Sequence, residues 1–128
     1  MATITEEYVS FEVAKLLIEK GFSEPTLAYA YGQDMISYYS RPKVTDPLSI
    51  EAGRIPLPTQ QMACKWLRKK YYIYADPIKQ GNYNDCSEYY TWIVARMGII
   101  HRNSTVTDKL SYEEACEAAI KYCLENLI

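Results

Sequence analysis

Apolar positions recur with a period of 3.6 at the start, middle and end of the chain, and with a period of 2 between. The closing stretch "LSYEEACEAAIKYCLENLI" places Ala115, Ala119, Tyr122, Cys123 and Leu127 on one helical stripe. Glu113, Glu117, Lys121 and Glu125 occupy the opposite side, with Glu117 and Lys121 spaced as an i,i+4 pair. Ser111 and Glu114 have the spacing of a capping box, in which two otherwise free amides are satisfied reciprocally. Near the start, Val13, Leu16 and Leu17 mark a helix over about Phe11 to Lys20. Ser10 is its expected N-cap, Gly21 the left-handed residue beyond its end, and Phe22 the side chain that folds back. A middle helix begins in "PTQQMACKWLRKKYY", capped by Thr59, with Met62, Ala63, Trp66 and Leu67 inward. Its basic end complements the helix dipole.

Between these helices the spacing predicts strands. In "TLAYAYG", Leu27, Tyr29 and Tyr31 alternate with alanines, and "MISYYS" follows after a Gly-Gln-Asp turn. A second pair, "YYIYA" and "EYYTWIVARM", is separated by "DPIKQGNYNDCS". The order α-β-β-α-β-β-α predicts one α+β domain over residues 1–128, with an antiparallel sheet of about four strands and helices packed on one face. Residues 40–58, "SRPKVTDPLSIEAGRIPLP", hold four prolines and no sustained period. So long a connection is uncommon in a compact domain unless it binds something or moves. It brings Arg41, Lys43 and Arg54 close in sequence to Tyr38 and Tyr39.

The stretch from 71 to 92 gathers six tyrosines and a tryptophan. In its first strand Tyr71, Ile73 and Ala75 face one way and Tyr72, Tyr74 and Asp76 the other. In its second, Tyr90, Trp92 and Val94 oppose Tyr89, Thr91, Ile93, Ala95 and Met97. Neither strand has a fully polar face, so helices on one side leave several rings on the other. Tyrosine suits a half-buried pleated surface on its own account, with its hydroxyl reaching water. The alternative is an aromatic platform for a base, a peptide or a second subunit.

Charge sharpens this picture slightly. Residues 41–70 carry seven cations against two carboxylates, and residues 104–128 two against five, so the chain is polarised along its length. A basic middle segment suits an anionic ligand, and equally plain solubility. The four cysteines include no C-x-x-C pair, and Cys116 and Cys123 lie about 10 Å apart along one helix. They read as small buried hydrophobes, neither disulfide nor zinc ligands. No apolar run is long enough to span a membrane, and "MATITEEYVS" lacks the regions of a signal peptide, so the expected location is cytoplasmic.

Candidate chemistry is sparse. The phosphate-loop, dinucleotide and nucleophile-elbow patterns are absent from the sequence. Cys86 and His101 are the one nucleophile–base pair to weigh, but an extended strand between them holds their ends as much as about 50 Å apart. Asp34 and Asp76 are paired carboxylates that nothing singles out. The cations of "QQMACKWLRKK" cluster where a helix dipole already favours them, which argues against a duplex-DNA reader. The expectation is a non-enzymatic protein that uses no metal or cofactor.

Three stretches, "YVSFEVAKLLIEKGF", "PTQQMACKWLRKKY" and "SYEEACEAAIKYCLENLI", resemble small accessory proteins carried by phages, prophages and mobile elements of gut bacteria. The segment Pro58 through Arg68 is the most specific part of the resemblance, which covers close to half of the chain. It implies an accessory gene of a phage or integrated element, acting in a bacterial host cell, with no catalytic residues to carry over. The leading expectation is a counter-defence binding protein that sequesters a small anionic nucleotide or blocks a host protein. Tyr38, Tyr39, Arg41, Arg68, Tyr72, Tyr74, Tyr90 and Trp92 are its expected contacts, rings for stacking and cations for phosphate. A minor virion or assembly component acting through self-association is the alternative, and a homodimer is compatible with both.

Overall fold

The computed structural model describes residues 7–32, 35–80, 89–102 and 110–128. The chain divides between Ala63 and Cys64 into two compact units, each α+β in composition. Among the described residues there are four helices and two three-stranded antiparallel sheets.

The first unit opens with α1 (Phe11–Glu19), whose N-cap Ser10 accepts the Val13 amide at 3.2 Å. Beyond its end Gly21 takes φ 93°, and two bonds close the helix: the Gly21 amide to Ile18 O and the Phe22 amide to Leu17 O. That is a Schellman motif, and it turns Phe22 back into the core beside Val13, Ala14 and Leu17. Next come β1 (Thr26–Ala30) and β2 (Ile36–Lys43), paired antiparallel with a bulge between the Thr26 and Ala28 pairings. Ala28 and Ala30 take the buried side of β1, which leaves Leu27 and Tyr31 exposed and Tyr29 half-buried.

Residues 40–58 are built rather than looped. After β2 ends, Asp46 caps the short α2 (Pro47–Glu51), accepting the Ser49 amide at 2.8 Å, with Pro47 in the first turn, where its missing amide is harmless. Gly53, at φ 99°, then reverses the chain into β3 (Ile55–Leu57), which pairs antiparallel with β1 and carries α1 against it. The sheet order is β2-β1-β3. Aperiodic spacing hid these elements because each is only three to five residues long. Tyr8 bridges Thr59, and Thr59 accepts the Met62 amide at 3.1 Å as the cap of α3 (Gln60–Tyr71).

In the second unit α3 buries Trp66 and Leu67 and continues through Tyr71, which belongs to the helix and not to the following strand as its spacing suggested. Tyr72 makes the link at φ 57°. There follow β4 (Ile73–Gln80), β5 (Tyr89–Arg96), β6 (Ile99–Arg102) and α4 (Tyr112–Asn126), with sheet order β4-β5-β6. Helix α4 packs on β4 and β5. Its buried partners include Ile73, Ala75, Trp92 and Val94, the face that the alternation assigned to one side. The capping box of α4 is present in both directions, Glu114 amide to Ser111 Oγ and Ser111 amide to Glu114 Oε1.

The single sheet of about four strands is therefore corrected to two sheets of three. Each expected hairpin recruits its own third strand, β3 or β6, which satisfies one more edge than a bare hairpin could. Pro42, Pro56 and Pro77 all fall on edge strands, where a missing amide breaks no central ladder.

Candidate functional site

Among the described residues, the densest convergence of rings and cations lies on the first sheet. Tyr29 pairs across β1–β2 with Ser37 and across β1–β3 with Pro56, so its ring stands on the side opposite Ala28 and Ala30. The Tyr39 ring lies diagonal to it, with centroids 4.6 Å apart, and Tyr31 meets Tyr29 edge-on at 5.9 Å. Gly53 delivers Arg54 to this cluster as β3 begins. Its guanidinium lies 4.6 Å from the centre of the Tyr29 ring and donates from Nε (3.0 Å) and Nη2 (2.7 Å) to the Tyr31 hydroxyl. Lys43 Nζ stands 5.5 Å over Tyr39, whose hydroxyl shares a hydrogen bond with Thr45 Oγ1 at 3.1 Å. The Tyr31 hydrogen bond and the surrounding rings hold the Arg54 guanidinium even more firmly protonated than usual. Three phenol rings and two basic side chains thus share one solvent-facing patch. Such a patch can stack on a planar group and neutralise an anion beside it.

The expected contacts fall into both units. Tyr39 belongs to the cluster. Its neighbour Tyr38 points elsewhere, 60% exposed, and meets Tyr8 edge-on. Arg41 is exposed on the same strand. In the second unit Arg68 is exposed on α3, Tyr72 is exposed in the link before β4, not within the strand as its spacing suggested, and Tyr74 is exposed on β4. Trp92 is buried at 8% exposure with its ring 4.8 Å from Tyr122, and Tyr90 is half-buried against Tyr112. The aromatic wealth of residues 71–92 therefore divides. Tyr90 and Trp92 brace α4, Tyr71 packs edge-on against Trp66, and Tyr72 and Tyr74 face solvent.

Tyr29 and Tyr31 were not among the expected contacts, and Arg54 entered only as a cation of residues 40–58, set beside Tyr38 and Tyr39. Alternation in "TLAYAYG" put the two tyrosines on one face, but their partner arginine stands 23 residues beyond Tyr31 and needs β3 to bring it back. No local pattern reveals that.

His101 lies on β6, with Nδ1 3.1 Å from the Tyr122 hydroxyl. The Met97–Gly98 turn folds it back beside Val94. Cys86 and Asp34, the other halves of the two candidate catalytic pairs, lie outside the described residues. Among the described residues no group of three or more His, Cys, Asp or Glu side chains is placed to hold a metal ion, and no helix is long and apolar enough to cross a membrane. Comparison with known proteins finds no matching family model, no matching curated protein and no matching solved structure.

Proposed function

We propose that this chain is a non-enzymatic binding protein whose contact surface is the Tyr29–Tyr31–Tyr39–Arg54–Lys43 face of the first sheet. The ligand class that this chemistry suits is a small anionic nucleotide, its base against a phenol ring and its phosphate beside the two cations. The observation that carries the reading is Arg54, poised over one ring and bonded to the hydroxyl of another. A phosphate oxygen is a stronger acceptor than a phenol, so the guanidinium fork can exchange Tyr31 for ligand at little loss. The resemblance to phage and mobile-element accessory proteins supports counter-defence, by sequestration of a nucleotide signal, as the setting.

Native mass spectrometry of the purified protein with a panel of linear and cyclic nucleotides tests this. The expected result is one nucleotide retained at fixed stoichiometry, with at least about tenfold weaker binding in Arg54→Ala and Tyr39→Ala. Neither variant should lose its folded circular-dichroism spectrum. An apo mass with every nucleotide rejects the ligand class.

A second reading has its own support. Ile36, Tyr38, Val44 and Leu48 are between 45% and 77% exposed on the first unit, an apolar display that suits docking on a host protein. In that case Tyr38→Ala weakens binding and Arg54→Ala does not.

A further inference from the structure

We propose that Cys64 on α3 and Cys116 on α4 are a modification site, a thiol pair that peroxide converts to a disulfide and that reductant restores. Their Sγ atoms lie 3.8 Å apart, although 52 residues separate them in sequence. Spacing along a single helix could exclude Cys116 with Cys123, but it could not reveal this pair, which exists because α3 and α4 meet within the second unit. A disulfide requires an S–S distance of about 2.05 Å, so closure asks for an approach of roughly 1.8 Å. Rotation of the two side chains, with relaxation of the helices that carry them, is what has to supply that approach. Both residues are under a tenth exposed, 8% for Cys64 and 6% for Cys116, so a small oxidant suits the site better than a bulky one.

The two thiols are not equivalent. The hydrogen bond shared with Cys116, and behind it the charge of Arg68 one helical turn further along α3, let the Cys64 thiol ionise more readily than an ordinary cysteine. That same hydrogen bond, with burial, pushes Cys116 in the opposite direction. Cys64 is therefore the attacking sulfur and Cys116 the resolving one. The Cys64 thiolate attacks one oxygen of hydrogen peroxide, the O–O bond breaks, and hydroxide leaves to become water, which gives a sulfenic acid. The Cys116 sulfur then attacks the Cys64 sulfur, the S–O bond breaks, and the departing hydroxide takes the Cys116 proton as a second water. Two thiols are oxidised and one peroxide is reduced. Cys123, further along α4, is pushed up to about 12 by burial and stays a protonated bystander.

The test is a titration of the full chain with hydrogen peroxide. It is followed by denaturation, alkylation of the remaining thiols, intact mass and peptide mapping. The expected product is lighter by two hydrogens, takes up two fewer alkyl groups, and maps to a Cys64–Cys116 link that dithiothreitol reverses. Cys86→Ser should behave like wild type. Cys64→Ser should form no such link, and Cys116→Ser should stop at the sulfenic acid, trapped by dimedone on Cys64. Full alkylation of Cys64 and Cys116 after peroxide would overturn the proposal. So would a link to Cys86 or Cys123, or over-oxidation of Cys64 without a link. The wild-type readout decides the matter even if a serine variant fails to fold.

Discussion

The Met97–Gly98 turn offers the cleanest test of how this chain distributes its backbone strain. Arg96 and Ile99 are paired, so the link between β5 and β6 has two residues, and both have positive φ, 51° at Met97 and 82° at Gly98. That is the type I′ geometry, whose preferred sequence is Asn-Gly. An L-residue in the left-handed region costs roughly 1–2 kcal/mol, and asparagine less, because its short polar side chain bonds locally. The Met97 side chain is 86% exposed, so burial returns little of that cost. Met97→Asn is therefore expected to stabilise the protein by about 0.5–1 kcal/mol. Met97→Val, β-branched at positive φ, is expected to destabilise it. Gly98→Ala isolates the backbone contribution, because a Cβ added there would meet no atom within 4 Å. Any loss, expected at about 1 kcal/mol, then reflects φ alone. Urea unfolding reads each change as a shift in midpoint at constant slope. In thermal melts a shift of about 4–8 °C per kcal/mol is expected for a unit of this size. If Met97→Asn lowers the midpoint, or Gly98→Ala leaves it unmoved, the strain argument is wrong.

The remaining expectations concern the second unit and the core. Tyr72, at φ 57° after α3 and 72% exposed, should gain up to about 1 kcal/mol on substitution by glycine, read as the same midpoint shift. Ser111→Ala removes one half of the α4 capping box and should lower stability by about 1 kcal/mol in urea unfolding. The Ser111 amide and hydroxyl hold the Glu114 carboxyl below the usual range. Its contribution is therefore complete above the unfolded value of about 4.3 and is lost as pH falls through the lower folded one; Glu114→Gln should flatten that acid limb of the stability profile. Leu17→Ala, at a site with no exposure, should cost about 2–5 kcal/mol by the same measurement. Oxidising Cys64 and Cys116 closes a loop across a 52-residue separation, which the chain-entropy account values at about 4 kcal/mol. A gap below about 1 kcal/mol between oxidised and reduced midpoints would show strain offsetting most of that gain.

What could be read before folding was local in its physics. Ser10, Thr59 and Ser111 cap their helices because a short hydroxyl reaches an amide two or three residues on, and Gly21 ends α1 because the left-handed conformation suits it. Alternation likewise grouped Ile73 with Ala75 and Trp92 with Val94, though which face α4 covers was decided only by the structure. These signals lie within about four residues of one another, which is the range over which backbone geometry alone places side chains.

The features that bear on function have a longer range. Nothing in "AGRIPLP" has the length to announce a strand, yet pairing with β1 makes Ile55–Leu57 one and sets Arg54 over Tyr29. The same dependence holds for Cys64 and Cys116, unremarkable in sequence and 3.8 Å apart once α3 meets α4. Trp92 and Tyr74, members of one aromatic run, part company because α4 covers one face of the sheet, leaving the first buried and the second open to solvent. The sequence by itself determined where most helices begin and end and which residues of a strand share a face, because capping and periodicity are local. Tertiary structure decided that the described strands form two sheets of three, which rings stay exposed, and which thiols lie side by side. Those depend on pairings between residues far apart in the chain, and no local spacing encodes them.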